Sequence, residues 1–410
     1  MITEMQKTKS QILIELEEKY GAHNYHPIPV VLERGEGVFV WDVDGKKYYD
    51  FLSAYSAVNQ GHCHPKITKT LIEQSQKLAL TSRAFHNNVL GEYEKFITGL
   101  FGYDKVLPMN TGAEGVETAL KLARKWGYEK KGVAENNAKI IVCEGNFHGR
   151  TISIISMSTD SESKGNFGPY TPGYLTIPYN NSVALAELLK DKNVVGFLVE
   201  PIQGEAGVVV PDEGYLRTCF EMCKAANVLF IADEIQTGIA RTGKMLACEH
   251  EDVKPDILIL GKALSGGMYP VSAVLANDEI MLCIKPGQHG STYGGNPVGC
   301  KVAITALNVV LEENLAQNSA ELGKLLMNEL KSIKSDLITE VRGKGLFVAM
   351  VIKEKKGKTA LDVCLKMAEN GLLAKPTHGD IIRFAPPLII TKEQLLDCVS
   401  IIKKTLAEFN

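Results

Sequence analysis

The chain has 410 residues and is 45% hydrophobic, which is enough to bury a large core, and we expect two domains rather than one. A net charge of −3 excludes the strong basic field that nucleic-acid binding requires. No apolar run reaches the length of a membrane span, and nine scattered cysteines favour a reducing compartment.

The N-terminal segment predicts a helix, a loop and a hairpin. Apolar residues at helical spacing predict a short amphipathic helix over residues 10–20. The first twenty residues mix Glu with Lys and contain no Arg, unlike a secretory signal or a transit peptide, so a cytoplasmic location is expected, with an organelle left open. Residues 38–51 indicate a hairpin with an Asp-Gly turn.

Two short segments before residue 120 carry candidate ligands. The run His62-Cys63-His64 resembles a metal site, but adjacent ligands seldom close a tetrahedron and no second cluster follows, so we expect no metal. Thr111 and Gly112 instead open a long helical pattern. A helix start offers free N–H groups and a positive dipole end, which suits phosphate, although most such starts are plain helix caps.

From about residue 138, short apolar runs alternate with helical patterns. Four runs are expected to be buried parallel strands, which read as continuously apolar; they cover residues 139–143, 194–200, 228–232 and 257–260. The predicted fold is therefore α/β, with a large doubly wound, mostly parallel sheet whose ligand lies beyond the carboxyl ends of the strands.

Polar residues follow each of these four runs. They are Phe147 to Arg150 after the first run, Glu200 after the second, Asp233 after the third and Lys262 after the fourth. A single acid at a strand end is usually a helix cap, and a lone lysine there is usually a surface residue. Four neighbouring exits that carry such side chains together indicate a site.

After about residue 300 the pattern changes to a smaller α+β domain. Helices are expected over residues 303–312, 315–333, 360–369 and 392–409, and a strand over 342–350. In the segment 380–387, Arg383 is expected to end a second strand that prolines follow. We predict an N-terminal segment (1–55) that joins the small domain, a large cofactor-binding domain (56–302) and a C-terminal small domain (303–410).

Pyridoxal 5'-phosphate needs the groups that this set provides. Its phosphate suits the helix start, its aldehyde condenses with a lysine amine, and a carboxylate keeps its ring nitrogen protonated so that the ring accepts electrons. The segments Asp233-Glu-Ile-Gln-Thr-Gly and Gly261-Lys262-Ala-Leu-Ser-Gly-Gly resemble the class III pyridoxal-phosphate aminotransferases, which have fold type I. The contexts of Tyr25, Tyr55 and Glu205 are most similar to the ornithine-using branch, and the resemblance covers nearly the whole chain.

The resemblance implies roles around the cofactor ring. Lys262 is expected to be the Schiff-base lysine and the proton shuttle. Asp233 pairs with the pyridine nitrogen, Gln236 lies near the ring hydroxyl and Phe147 stacks on the ring. His148 is expected at the ring edge or against substrate, with packing as the alternative.

The resemblance also implies a phosphate site shared between subunits. Gly112 and Ala113, next to Thr111, would donate backbone N–H groups. Ser291 and Thr292 would reach the same phosphate from a partner subunit, so the expected active unit is a homodimer, with higher oligomers possible.

The expected substrates are L-ornithine and 2-oxoglutarate. Ornithine must react through its distal amine, so Tyr25, Tyr55 and Arg150 are expected to anchor its α-amino and α-carboxylate groups. Glutamate reacts through its α-amine, so its α-carboxylate needs Arg383 near the ring. Glu205 is expected to mask that arginine while ornithine reacts.

Three other functions remain open at this point. The nearest is another class III ω-aminotransferase that uses acetylornithine or 4-aminobutyrate. A pyridoxal-phosphate racemase or decarboxylase would share Lys262 and Asp233. A non-catalytic protein on this scaffold is disfavoured, since both residues are intact.

Overall fold

The computed structural model describes residues 7–355 and 357–409; residues 1–6 of the predicted N-terminal segment lie outside the described residues. The strands are β1 (Leu32–Glu36), β2 (Phe39–Asp42), β3 (Lys47–Asp50), β4 (Lys105–Met109), β5 (Lys139–Cys143), β6 (Tyr174–Ile177), β7 (Val194–Val199), β8 (Leu229–Asp233), β9 (Ile257–Leu260), β10 (Ser272–Ala276), β11 (Ile338–Lys344), β12 (Phe347–Ile352), β13 (Leu372–Leu373), β14 (Lys375–Thr377) and β15 (Ile381–Phe384).

Helices alternate with these strands along the chain. The α-helices are Lys9–Tyr20, Pro65–Lys77, Leu90–Phe101, Gly112–Glu129, Ile152–Ser156, Ser161–Lys164, Ser182–Leu188, Tyr215–Ala225, Asp278–Met281, Pro297–Glu312, Leu315–Lys331, Ala360–Glu369 and Lys392–Ala407, with 3₁₀ turns at Ala247–Glu251 and Lys262–Ser265. None of the helices within the described ranges combines the length and the apolar composition that crossing a membrane requires.

A seven-stranded sheet in the order β4-β10-β9-β8-β7-β5-β6 forms the centre of the molecule. β10 pairs antiparallel with β4 and β9, and the other pairings are parallel. The four runs predicted as buried strands are β5, β7, β8 and β9, which are neighbours in this sheet. The predicted doubly wound, mostly parallel α/β fold is therefore confirmed.

Helices cover both faces of the central sheet. Side chains alternate along β5, so that Ile140 packs with Val116 of helix Gly112–Glu129 on one face. Ile141 packs with Leu216 of helix Tyr215–Ala225 on the other. Each such fully buried aliphatic side chain contributes roughly 1.5–3 kcal/mol, so both faces stabilise the frame that holds the strand ends.

Two four-stranded sheets accompany the central one, in the orders β1-β2-β3-β13 and β11-β12-β15-β14. The antiparallel sheet β11-β12-β15-β14 holds Arg383 as the third of four residues of β15, within the strand and not at its end. The predicted hairpin over residues 38–51 is confirmed as β2 and β3, and β13 pairs parallel with β3, which ties this hairpin to the C-terminal part. The division at residues 55 and 302 stays a prediction.

Two expectations from the sequence need correction. Residues 342–350 were expected to form one strand, but they span parts of β11 and β12 and the turn between them, where Gly345 has a φ of +58°. Gly345 reverses the chain between the two strands, but it is followed by an apolar run, so the sequence pattern alone indicated a single strand. The first helix is present at Lys9–Tyr20, but its apolar side chains Ile12 and Leu16 are exposed.

Ser53, Ala54, Tyr55 and Ser56 form one left-handed turn, with φ values of +48°, +48°, +59° and +69°. Left-handed backbone costs a residue with a side chain roughly 1–2 kcal/mol. The carboxylate of Asp50 supports the turn, because its Oδ1 accepts hydrogen bonds from the N–H groups of Leu52 and Ser53, both at 2.9 Å.

Candidate active site

The carboxyl ends of four adjacent strands bring the polar residues together. Phe147 and His148 follow β5, Glu200 follows β7, Asp233 ends β8 and Lys262 follows β9. Because these strands are neighbours and parallel, their ends meet at one edge of the sheet.

A cavity of about 210 Å³ lies at this edge. Its lining comprises Gly112, Ala113, Phe147, His148, Gly149, Glu200, Asp233, Ile235, Gln236, Thr237 and Lys262. Seven of these residues were expected around the cofactor from the sequence. Ile235 was not, although it lies between two predicted residues.

Lys262 reaches the cavity from a strained backbone position. Its φ is +44°, a left-handed conformation at the start of the 3₁₀ turn that follows β9. Burial lowers the pKa of Lys262, against the opposing charges of Glu205 and Asp233. A lowered pKa makes the neutral amine more available as a base and a nucleophile near neutral pH.

Asp233 and His148 form a buried pair beneath the cavity. His148 Nδ1 lies 2.6 Å from Asp233 Oδ2, and both side chains are at most 5% exposed. Burial alone lowers the pKa of His148, but the hydrogen bond and the charge of Asp233 outweigh it and raise the pKa. His148 therefore orients the carboxylate, while its buried Nε2 has no hydrogen-bond partner within the described residues.

Glu200 is a second buried carboxyl at the cavity; it was expected among the strand-end residues that indicate a site, but no role around the cofactor was assigned to it. Burial raises its pKa to about 7. Its oxygens accept hydrogen bonds from the N–H groups of Phe147 at 2.9 Å and Gly204 at 3.3 Å. The sequence pattern that points to Glu200 is the same as for Asp233, since each carboxyl lies at the end of a buried strand.

The helix start at Gly112 has the geometry of a phosphate site. Thr111 caps the helix, since its hydroxyl oxygen accepts from Glu114 N at 3.2 Å and Glu114 Oε2 accepts from Thr111 N at 2.8 Å. The N–H groups at the first helical positions remain for an anion. A side chain at Gly149, whose φ is +127°, would place its Cβ 3.0 Å from Ala113 Cβ, so glycine keeps this approach open.

Gln236 and Tyr55 are linked at the side of the cavity. Gln236 Nε2 donates to the carbonyl oxygen of Tyr55 at 3.3 Å. A Cβ at Gly204 would lie 1.8 Å from Gln236 Oε1, so a side chain there would displace the amide group of Gln236. The left-handed turn that carries Tyr55 is thereby joined to the cavity wall.

Arg383 and Glu205 form an ion pair next to the cavity. Arg383 Nη1 lies 2.8 Å from Glu205 Oε1, and the Arg383 side chain is 4% exposed. Burial alone raises the pKa of Glu205, but the guanidinium of Arg383 outweighs it and holds the pKa below its usual range. The guanidinium carbon also lies 5.3 Å from the ring centroid of Tyr55.

The other expected substrate and phosphate residues lie outside the cavity. Tyr25 and Arg150 are exposed, and the guanidinium carbon of Arg150 lies 5.8 Å from the Phe147 ring. Ser291 accepts a hydrogen bond from Asn110 of the same chain at 2.8 Å, and Thr292 is exposed. A single chain does not bring this pair to the cavity.

The chain belongs to the class III aminotransferases, because the model of the family described as "Aminotransferase class-III" matches residues 20–406. The mitochondrial ornithine aminotransferase of Drosophila ananassae is 65% identical over 97% of this chain and 91% of that protein. A solved structure of the ornithine aminotransferase from Toxoplasma gondii is 46% identical, with a TM-score of 0.96 over 98% of this chain and 96% of that one. The solved acetylornithine aminotransferase of Elizabethkingia anophelis is 64% identical, with a TM-score of 0.90 over 98% and 100%.

Aminotransferases of this class use pyridoxal phosphate, and the cavity fits that cofactor. Lys262, Asp233 and Phe147 line this one cavity and would supply an amine, a carboxylate for the ring nitrogen and an aromatic face. The helix start beside Gly149 offers a cradle for phosphate that a larger side chain would fill.

Proposed function

We propose that the protein transfers the δ-amino group of L-ornithine to 2-oxoglutarate. The products would be L-glutamate and L-glutamate 5-semialdehyde, which cyclises to pyrroline-5-carboxylate and would link arginine metabolism with proline biosynthesis. The observation that supports this reaction best is the Glu205–Arg383 ion pair at 2.8 Å beside the cavity. A masked arginine suits a donor whose reacting end carries no carboxylate.

The residues around the cavity support proton transfer at a single nitrogen. Pyridoxal phosphate supplies an aldehyde that exchanges with amines and a protonated ring that accepts electron density. Lys262 Nζ would take up the proton from the carbon that bears the reacting amine and would later release it, since burial lowers the pKa of this amine. Asp233, oriented by His148, would hold the ring nitrogen protonated, while Phe147 covers a ring face and Gln236 lies near the ring hydroxyl.

The two substrates would bind through different residues beside the cavity. Tyr25, Tyr55 and Arg150 would anchor the α-amino and α-carboxylate groups of ornithine. In the second half-reaction Glu205 would leave Arg383, and the guanidinium would bind the α-carboxylate of 2-oxoglutarate in a bidentate manner.

We also infer a homodimer. The phosphate-binding N–H groups of Gly112 and Ala113 would be completed by Ser291 and Thr292 of the other protomer. The exposure of Thr292 supports this, as does an open cavity of about 320 Å³ along Thr111 and Lys262. The cytoplasmic location stays a prediction, and the name of the Drosophila relative gives a mitochondrial one.

A second candidate donor is N-acetyl-L-ornithine, because one solved structure at 64% identity is an acetylornithine aminotransferase. Acetylation removes the positive charge from the α-nitrogen and leaves the δ-amine free. The two donors therefore differ only at the α-nitrogen, near which Tyr25 and Tyr55 are expected to bind.

A donor panel on the purified holoenzyme tests the proposal. L-ornithine, N-acetyl-L-ornithine and 4-aminobutyrate are each paired with 2-oxoglutarate, and kcat/KM is measured for each. We expect ornithine to give the highest kcat/KM. Ornithine added without 2-oxoglutarate should also change the visible absorption of the bound cofactor. A higher kcat/KM for the acetylated donor would overturn the assignment of ornithine.

A further inference from the structure

Lys375 faces Arg383 across the β14–β15 pair. The two residues are direct partners in this antiparallel register. Side chains of such partners lie on the same face, with Cβ atoms roughly 4.5–5.5 Å apart, and like charges placed this way destabilise a sheet. Two adjacent cations at the edge of the active site therefore require a nearby carboxylate.

Glu205 is the carboxylate that both cations share. It pairs with Arg383 at 2.8 Å, and the positive charges of Lys262 and then Lys375 also favour its ionised form. Its main-chain carbonyl accepts from Thr377 Oγ1 and from His378 Nε2, both at 3.1 Å. The backbone of Glu205 is thus fixed to β14, while its side chain, 27% exposed, has room to turn.

Lys375 itself is held at the mouth of the site by aromatic side chains. Its Nζ donates to the phenol oxygen of Tyr55 at 3.1 Å and lies 5.8 Å from the ring centroids of Tyr25 and Tyr55. A neutral phenol oxygen is a weaker partner for an ammonium group than a carboxylate is. The ammonium group is therefore positioned to accept a better partner.

We propose that Lys375 receives the carboxylate of Glu205 when Arg383 is released to bind the α-carboxylate of 2-oxoglutarate. The inference rests on the proposed function and deepens it, since it names the group that makes the release possible. While ornithine reacts, Glu205 faces both Arg383 and Lys375. Once the α-carboxylate of 2-oxoglutarate occupies Arg383, Glu205 would keep Lys375 as its partner.

The charge balance explains why Arg383 and Glu205 are insufficient by themselves. Without Lys375, the arriving carboxylate would displace Glu205 from Arg383 and leave it only the charge of Lys262, the amine that carries out proton transfer. A buried charge that loses its partner is strongly destabilised. Lys375 is in this sense a positioning residue that makes the second half-reaction favourable, and it has no direct role in proton transfer.

Separate half-reactions of the holoenzyme test this assignment. Lys375→Met and Lys375→Arg are compared with the wild type by following the cofactor absorbance after rapid mixing, first with ornithine and then, for the aminated enzyme, with 2-oxoglutarate. We expect Lys375→Met to lower kcat/KM for 2-oxoglutarate by about 10- to 100-fold, because a charge-assisted contact is lost. The ornithine half-reaction should change by less than about 3-fold, and Lys375→Arg should restore most of the loss.

Binding of glutarate, a dicarboxylate without a reactive carbonyl, provides a readout that needs no turnover. Its Kd should rise in Lys375→Met and recover in Lys375→Arg. Lys331→Met, at the exposed end of helix Leu315–Lys331, is the matched control and should behave as the wild type. Equal losses in both half-reactions, or no recovery with arginine, would overturn the proposal. Failure of the wild type to use ornithine would instead overturn the proposed function.

Discussion

The carboxyl edge of the central sheet and the rim formed by β14 and β15 hold their charges in opposite ways. At the sheet edge, Asp233 and His148 are almost fully buried and are fixed to each other at the ends of strands with helices on both faces. At the rim, the side chain of Glu205 is 27% exposed, pairs with Arg383 and has Lys375 as a second cation. In the proposed function, this difference would separate the chemistry common to every substrate from the choice between substrates.

The burial of the strands also differs between the two regions. β7, β8 and β9 are entirely buried, so their ends move only if the core moves. β14 has three half-buried residues, and its contacts with Glu205 are made to the main chain. The side chain of Glu205 can therefore change partners without breaking these main-chain contacts.

Removing Lys262 is the most severe test of the fixed region. We expect Lys262→Ala to lower kcat by at least about 10³-fold, since general acid–base catalysis by a positioned group contributes 10²–10⁴-fold. Steady-state kinetics measure the loss, and thermal unfolding should remain close to that of the wild type. Partial recovery with added methylamine would support a role in proton transfer. Retention of full activity would contradict it.

Asp233→Asn tests the same region with a smaller change. The amide cannot stabilise a protonated ring nitrogen as a carboxylate does, so we expect kcat to fall by about 10²-fold. The pKa of His148 should fall as well, because Asp233 is what raises it. NMR titration of the His148 ring checks this second effect, and an unchanged His148 titration would mean that the pair does not form in solution.

Glu205→Ala tests the rim, where we expect a change of selectivity rather than a loss of rate. An unmasked Arg383 would bind the α-carboxylate of ornithine and present the α-amine to Lys262. The ratio of α-transfer to δ-transfer should rise by about 10-fold or more, since a charged hydrogen bond is worth roughly 1.5–3 kcal/mol. NMR distinguishes the two cyclic products. With Glu205→Gln as the control, unchanged regioselectivity in both variants would show that Glu205 does not mask the arginine.

The last prediction concerns stability and not catalysis: the pH dependence that Glu200 contributes. Its pKa is raised from 4.5 to about 7, so folding favours the neutral carboxyl. The stabilisation is complete below about pH 4.5 and is lost as the pH rises through 7, which amounts to at most about 3 kcal/mol. Chemical unfolding of the apoprotein between pH 5 and 8 should show this slope, and Glu200→Gln should flatten it. An identical slope in the variant would assign it to other groups, such as His148.

The central sheet was predictable where its strands are continuously apolar. β5, β7, β8 and β9 carry such runs, and their ends gave Phe147, Asp233 and Lys262 directly. β4 and β6, at the two edges, and the antiparallel β10 were not identified. β4 contains Lys105 and Pro108, which an edge strand tolerates but which interrupt the apolar pattern.

The rim was less predictable, because its geometry depends on tertiary pairing. Glu205 and Arg383 were expected from their resemblance to a family, and the structure places them 2.8 Å apart. Lys375 belongs to a strand of three residues with no periodic pattern, and only the register of β14 on β15 reveals its position opposite Arg383. The role proposed for Ser291 and Thr292 requires a second chain, whose position cannot be worked out from the sequence of one chain.

The left-handed turn at residues 53–56 sets stability against selectivity. Its four residues with side chains occupy a conformation that glycine adopts at little cost, so mutations that relax the turn should be easy to find in a screen for thermal tolerance. The same turn aims Tyr55 at Lys375 and carries the carbonyl that binds Gln236. Laboratory evolution for heat resistance alone would therefore tend to erode substrate discrimination here first, and this turn should be held constant when the protein is stabilised.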